Sequence, residues 1–158
     1  MRKFLSIVFL VIAALTWPDL RVQATSIQAY QDYQFQFDQY RQRLADYQIA
    51  ITQYKQFNSL ASQQDALDKV KLLIAQRSTA GKAYALFLNE KLTENPGIPA
   101  NELSIYRTIL TNQVGFLDQG IQLAPSIASL DDAARVSEQF VNNYEAMQSA
   151  YRQTIAAV

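Results

Sequence analysis

YQDYQFQFDQYRQRLADYQIAITQYKQF, residues 30–57, is the stretch whose reading decides the fold. Cut in sevens from Tyr30 it gives YQDYQFQ, FDQYRQR, LADYQIA and ITQYKQF, four heptads in register. Their first places hold Tyr30, Phe37, Leu44 and Ile51, and their fourth places Tyr33, Tyr40, Tyr47 and Tyr54. A 3-4 spacing sustained this long lies on one stripe of a slightly underwound α-helix, and so apolar a stripe needs another helix to cover it. The periodic pattern extends from about residue 27 to 58, which at ~1.5 Å per residue is a rod nearly 50 Å long.

Three more helical patterns follow, at about 63–94, 101–123 and 130–157, and none shows the alternation of a half-buried strand. The breaks between them have local causes. Ser62-Gln63-Gln64-Asp65 reads as a capping box opening the second helix. Asn95-Pro96-Gly97-Ile98-Pro99 cannot continue a helix, and Pro125 ends the third. Ser129-Leu130-Asp131-Asp132 is a second box, with its acids at the positive end of the next helix. Leu67, Val70, Ile74, Tyr84 and Leu88 are expected inward on helix two, and Leu103, Tyr106, Leu110, Leu117 and Ile121 on helix three. On helix four the expected stripe is Val136, Phe140, Tyr144, Met147, Tyr151 and Ile155. Four long helices with short connections imply antiparallel neighbours, hence an all-α, up-down-up-down four-helix bundle, with a three-helix bundle and one helix apart as the alternative.

Residues 1–24 read as a cleavable signal peptide helix: Arg2 and Lys3, an apolar run from Phe4 to Leu15, and Val22-Gln23-Ala24 with small residues where a signal peptidase needs them. The run is shorter than the ~20 residues that span a bilayer, so no stable membrane span is expected after cleavage, an uncleaved anchor being the alternative. The remainder, 25–158, is sized for a single domain. Setting aside Arg2, Lys3, Arg21 and Asp19 leaves 11 basic and 13 acidic residues, a net charge of −2 that gives no reason to expect nucleic acid. The chain has no cysteine, so the exported domain must hold together by apolar burial without disulfides.

The chemical inventory is narrow. Without histidine or cysteine, haem, zinc-thiolate and carboxylate-histidine metal sites and the usual nucleophilic triads are excluded, and neither cofactor nor metal is expected. Ala80-Gly81-Lys82 lacks the upstream glycine of a phosphate loop, and Ala83 stands where a hydroxyl should be. Ser78 and Lys82 lie one helical turn apart, a spacing at which a Ser-Lys pair is conceivable. Leu110-Thr111-Asn112-Gln113 falls one residue short of the Leu-Thr-x-x-Gln of small exported helical chaperones, so it assigns no family.

Three features are candidate binding elements. The tyrosine stripe, Tyr30, Tyr33, Tyr40, Tyr47 and Tyr54, is either a core seam or an aromatic groove for a peptide helix or a sugar ring. Nine glutamines on helix one leave it a neutral face able to hydrogen-bond to a glycan or a second copy. Arg77 falls on the inward side of helix two, where its guanidinium would hold tyrosine hydroxyls or a carboxylate in a fixed fork, or bend its head to water. The expectation is a non-catalytic, exported helical bundle, periplasmic or extracellular, that binds or scaffolds in the cell envelope. Its candidate partners are an envelope protein, a peptide, a glycan or itself, as a homo-oligomer. The alternative is a chaperone-like module cradling peptides on the stripe.

Overall fold

The computed structural model describes residues 25–158, so the expected leader lies outside the described residues. Those residues form an all-helical bundle without strands: α1 (Ser26–Phe57), α2 (Leu60–Glu94), α3 (Ala100–Leu123), α4 (Leu130–Asn142) and α5 (Tyr144–Ala157), with a 3-10 turn at Ala124–Ser126. The ends follow local chemistry. The Thr25 hydroxyl accepts from the Gln28 N–H to start α1, and Asn58 ends it in the left-handed region at φ 44°, donating its N–H to the Tyr54 carbonyl. The chain then turns at once, so the capping box sits one turn earlier than Ser62-Asp65. Ser59 is the N-cap, and its side chain and that of Ser62 each accept the other's backbone N–H at 3.2 Å. Ser129 caps α4 as expected, its hydroxyl accepting from the Asp132 N–H at 3.1 Å.

The expected fourth helix is two. At Asn143 the side-chain amide donates to the Gln139 carbonyl, as does its own N–H, so this residue competes with the ladder it belongs to and the helix breaks there. The inward stripe changes with it. Phe140, Ala150 and Thr154 are buried and Met147 and Tyr151 half-buried, whereas Tyr144 and Ile155, expected inside, are exposed at 58% and 48%.

α2 is the axis of the molecule, with α3 along one side and α4 and α5 in the groove between them. One core cluster gathers Leu67, Val70, Ile74, Leu117, Ile127 and Phe140; the other joins Ala85, Leu88, Leu92 and Leu110. Ile74, Leu88, Leu92 and Leu117 are completely enclosed. Each such side chain contributes about 1.5–3 kcal/mol over its exposed state, and this burial stabilises a chain that has no crosslink. Between the clusters α2 and α3 approach closely at Gly120, where an added Cβ would lie 2.5 Å from Phe140 Cζ and 2.6 Å from Ser78 Oγ.

α1 packs antiparallel along α2, and on no other helix to a comparable extent. The seam is not the one expected. The tyrosine column faces α2 together with the seventh heptad places, where Ala29 and Ala50 are buried and Gln36 and Arg43 half-buried. Small side chains there let the backbones approach, and Gln76 Nε2 reaches across to the Gln36 carbonyl at 3.1 Å. The first-place residues are displaced to a flank, so Tyr30 and Phe37 remain 43% and 41% exposed.

The start of α1 is held by the last residue of α2. Glu94 accepts from the Ser26 N–H at 2.8 Å and the Ser26 hydroxyl at 2.5 Å, a carboxylate at the positive end of a helix. The Ser26 hydroxyl and N–H hold the Glu94 carboxyl below the ordinary glutamate value, with Lys91 adding to the effect. Because the folded pKa is depressed, the stabilisation is present above the unfolded value and lost as pH falls through the folded one. Glu94→Gln is therefore expected to melt below the parent at neutral pH, with the gap closing once the pH drops beneath the glutamate range. Circular dichroism melts across that range check it; a gap that persists in acid would mean that charge is not what the clamp uses.

Candidate functional site

The displaced flank of α1 has two halves. In the N-terminal half, rings form a ladder reaching from α1 across α2 to α5. Tyr30 lies 5.2 Å from Phe87, Tyr33 4.9 Å from Tyr84, and Tyr84 5.1 Å from Tyr151 in an edge-on contact. Phe37 continues the ladder, 5.9 Å from Tyr33 and 6.0 Å from Tyr40. These centroid distances are those of favourable tilted and T-shaped pairs. Tyr151 donates its hydroxyl to the Gly81 carbonyl at 3.2 Å, and burial, then the neighbouring Tyr84, pushes its pKa up to about 12. Burial, followed by an adjacent tyrosine, also raises Tyr33 and Tyr84. These three hydroxyls thus keep their protons across the physiological range.

In the second half, α1 and α4 stand apart over the same face of α2 and flank a partly open cavity of about 310 Å³. α1 contributes Tyr40, Leu44 and Tyr47; α4 contributes Leu130, Ala133, Ala134 and Ser137. The floor is α2, with Val70, Leu73, Ile74 and, at one end, Arg77. Tyr54, the last ring of the stripe, is half-buried near the end of α1 and lines neither the ladder nor this cavity. Two larger depressions elsewhere, one beside Leu123 and Arg135 and one along α3 at Leu103 and Arg107, are open surface features.

Arg77 is the singular group of the cavity. Its guanidinium carbon lies 4.0 Å from the centre of the Phe140 ring, so an aromatic face supports its plane. Its Nε and Nη2 are buried and have no acceptor within the protein. The guanidinium therefore neither bends to water with these atoms nor binds the tyrosine hydroxyls, two of the outcomes its position allows in sequence. Burial pulls its pKa below the ordinary arginine value while Tyr40 acts the opposite way, and a guanidinium so placed still carries its proton. Among the described residues every ion pair leaves Arg77 out.

The other pairs noted in sequence do not converge. The Ser78 hydroxyl is fully buried and donates to the Ile74 carbonyl at 3.0 Å, while Lys82 Nζ bridges to Asp118 on α3 at 2.7 Å. Asp132 pairs with Arg135, which together with the Ser129 hydroxyl holds its carboxyl below the ordinary aspartate value. Among the described residues no three acidic side chains gather as a metal site would require. What sequence reasoning missed is the pairing of Arg77 with Phe140; the 3-4 pattern placed both inward, but on helices whose relative height it does not specify. No family model, no curated protein and no solved structure matches this chain.

Proposed function

We propose that this chain is an exported, non-catalytic helical-bundle protein of the cell envelope that acts by binding, with the α1–α2–α4 cleft as its receptor surface. The bundle is read as up-down-up-down, α4 and α5 together making the fourth rod. One observation carries the binding reading: α1 packs on α2 and on no other helix to a comparable extent, so its aromatic flank borders an open-sided cleft. Export rests on the basic, apolar and small-residue order of residues 1–24. α1 begins at Ser26, so cleavage after Ala24 would leave the Glu94 clamp intact. The absence of histidine and cysteine from the sequence supports a non-catalytic role. No helix among the described residues is long and apolar enough to cross a membrane.

Two measurements test the proposal. The N-terminus of protein recovered from its own host is expected at Thr25, outside the cytoplasm; an intact Met1 on cytoplasmic protein would overturn export. Purified protein is expected to be retained on isolated cell-wall glycan or on an immobilised amphipathic peptide, and Tyr40→Ser with Tyr47→Ser should weaken retention by roughly tenfold. Retention on neither would overturn binding. A second reading, a chaperone-like cradle, is favoured by the exposure of Tyr30 and Phe37. It predicts that Tyr30→Ser with Phe37→Ser, not the cleft pair, removes protection of an aggregating client peptide.

A further inference from the structure

We propose that α5 pairs with α5 of a second copy of this chain, the two helices running antiparallel. The inference does not depend on the cleft above, which α4 lines and α5 does not. Past the Asn143 break the last helical pattern divides into two columns. Ala150 and Thr154 are buried and Met147 half-buried where α5 packs on α2 and α3. Val141, Tyr144, Gln148, Tyr151, Ile155 and Val158 recur at alternating steps of three and four, so they fall on one adjoining stripe from the last turn of α4 to the end of α5. Tyr151 is anchored inside, on Tyr84 and the Gly81 carbonyl, whereas Val141, Tyr144, Ile155 and Val158 are exposed. A 3-4 stripe of this kind is the surface one helix offers to another.

The charges name the occupant. α5 carries two charged side chains, Glu145 and Arg152, one heptad apart on the side of the stripe away from the core. Both are exposed and, among the described residues, neither takes part in an ion pair. A two-fold axis through the middle of α5, near Gln148 and Ser149, sets the two helices antiparallel and brings each Glu145 opposite the other copy's Arg152, twice over. The same register lays Tyr144 beside the other copy's Ile155, and Val141 beside its Val158. Parallel helices would instead oppose Glu145 to Glu145 and Arg152 to Arg152, so charge selects the antiparallel arrangement. This fit of α5 to its own reversed copy is what assigns the stripe to a second copy. One short helix from each side lies at the low end of interface sizes, below roughly 1,200 Å² in all, so the dimer is expected to be reversible, with a Kd of about 10–100 μM.

The test is sedimentation of the purified protein in low salt from about 1 μM to about 1 mM, where the parent is expected to pass from monomer to dimer. Glu145→Arg or Arg152→Glu alone turns both attractions into repulsions and should raise the Kd roughly tenfold; the two together restore the pairs and should return it to within about threefold of the parent. Tyr144→Ser with Ile155→Ser should leave a monomer. All four residues are exposed, and circular dichroism melts are expected to match the parent throughout. A parent still monomeric at the highest concentration, single swaps that leave the Kd unchanged, or a double swap no tighter than the singles would each overturn the proposal. A dimer unmoved by Tyr144→Ser with Ile155→Ser would place the contact elsewhere than α5 and overturn it too. A monomer whose retention on the immobilised amphipathic peptide falls with that pair would give the stripe to a foreign partner and remove the second copy.

Discussion

Phe140→Ala is expected to cost about 3–5 kcal/mol of stability, the range for an aromatic ring deleted from a packed interior. The ring is 8% exposed and belongs to the core cluster that ties α4 to α2 and α3. It meets Phe116 edge-on at 5.2 Å, fills the space above Gly120, and lies under the Arg77 guanidinium at 4.0 Å. Truncation would remove all three contacts, and the helices around the void are long rods that cannot easily collapse into it. Urea denaturation compares the variant with Phe35→Ala, whose 60% exposed ring on α1 should change stability by only about 0.5 kcal/mol. Comparable effects from the two would mean that α4 is not docked as described. The cycle of Phe140→Ala with Arg77→Met should carry a coupling of about 0.5–2 kcal/mol, because the cation and the ring that supports it are removed together.

The legible parts of the fold are those with a local cause. The Asn95–Pro99 break, the stop at Pro125 and the Ser129 cap need no knowledge of the partner helix, and each lies where the sequence places it. The first cap lies one turn before the one the sequence suggests, because Ser59 and Ser62 both precede a helical pattern; the choice is made by Asn58, whose left-handed backbone ends α1 immediately before Ser59. The heptads announce a long rod correctly but do not say which two columns form its seam. Tyrosine is large, so the close approach falls on Ala29 and Ala50, and the first-place rings are turned aside to become the ladder and one wall of the cleft.

The site was legible in fragments. Arg77 could be read as inward from its phase on α2, and Phe140 likewise on the last helical pattern, but their contact depends on the relative heights of two helices separated by more than a third of the chain. The Glu94 clamp on Ser26 has the same character, joining residues 68 apart without a motif at either end. In a helical bundle sequence periodicity gives the azimuth of a side chain; the axial offset between rods is set by packing, and here a glycine contact marks where that offset is fixed.

That contact gives the second large effect. Gly120→Ala is expected to destabilise the protein by about 1–3 kcal/mol, although glycine in a helix interior is ordinarily the poorer residue by about 1 kcal/mol. The sign turns on the neighbours. Ser78 Oγ, 2.6 Å from the new Cβ, is tied to the Ile74 carbonyl, and Phe140 Cζ at 2.5 Å belongs to a rigid ring held between Phe116 and Arg77. Neither yields without breaking a contact described above. Gly115, on the same helix with nothing near its added Cβ, is the control: Gly115→Ala should stabilise by the ordinary helix preference. Shortening the ring should relieve the clash, so Gly120→Ala is expected to be less damaging in a Phe140→Leu background, by about 0.5–3 kcal/mol in a double-mutant cycle. If Gly120→Ala instead stabilises as much as Gly115→Ala, the helices do not touch at Gly120, and the height that brings Phe140 beneath Arg77 is wrong with it.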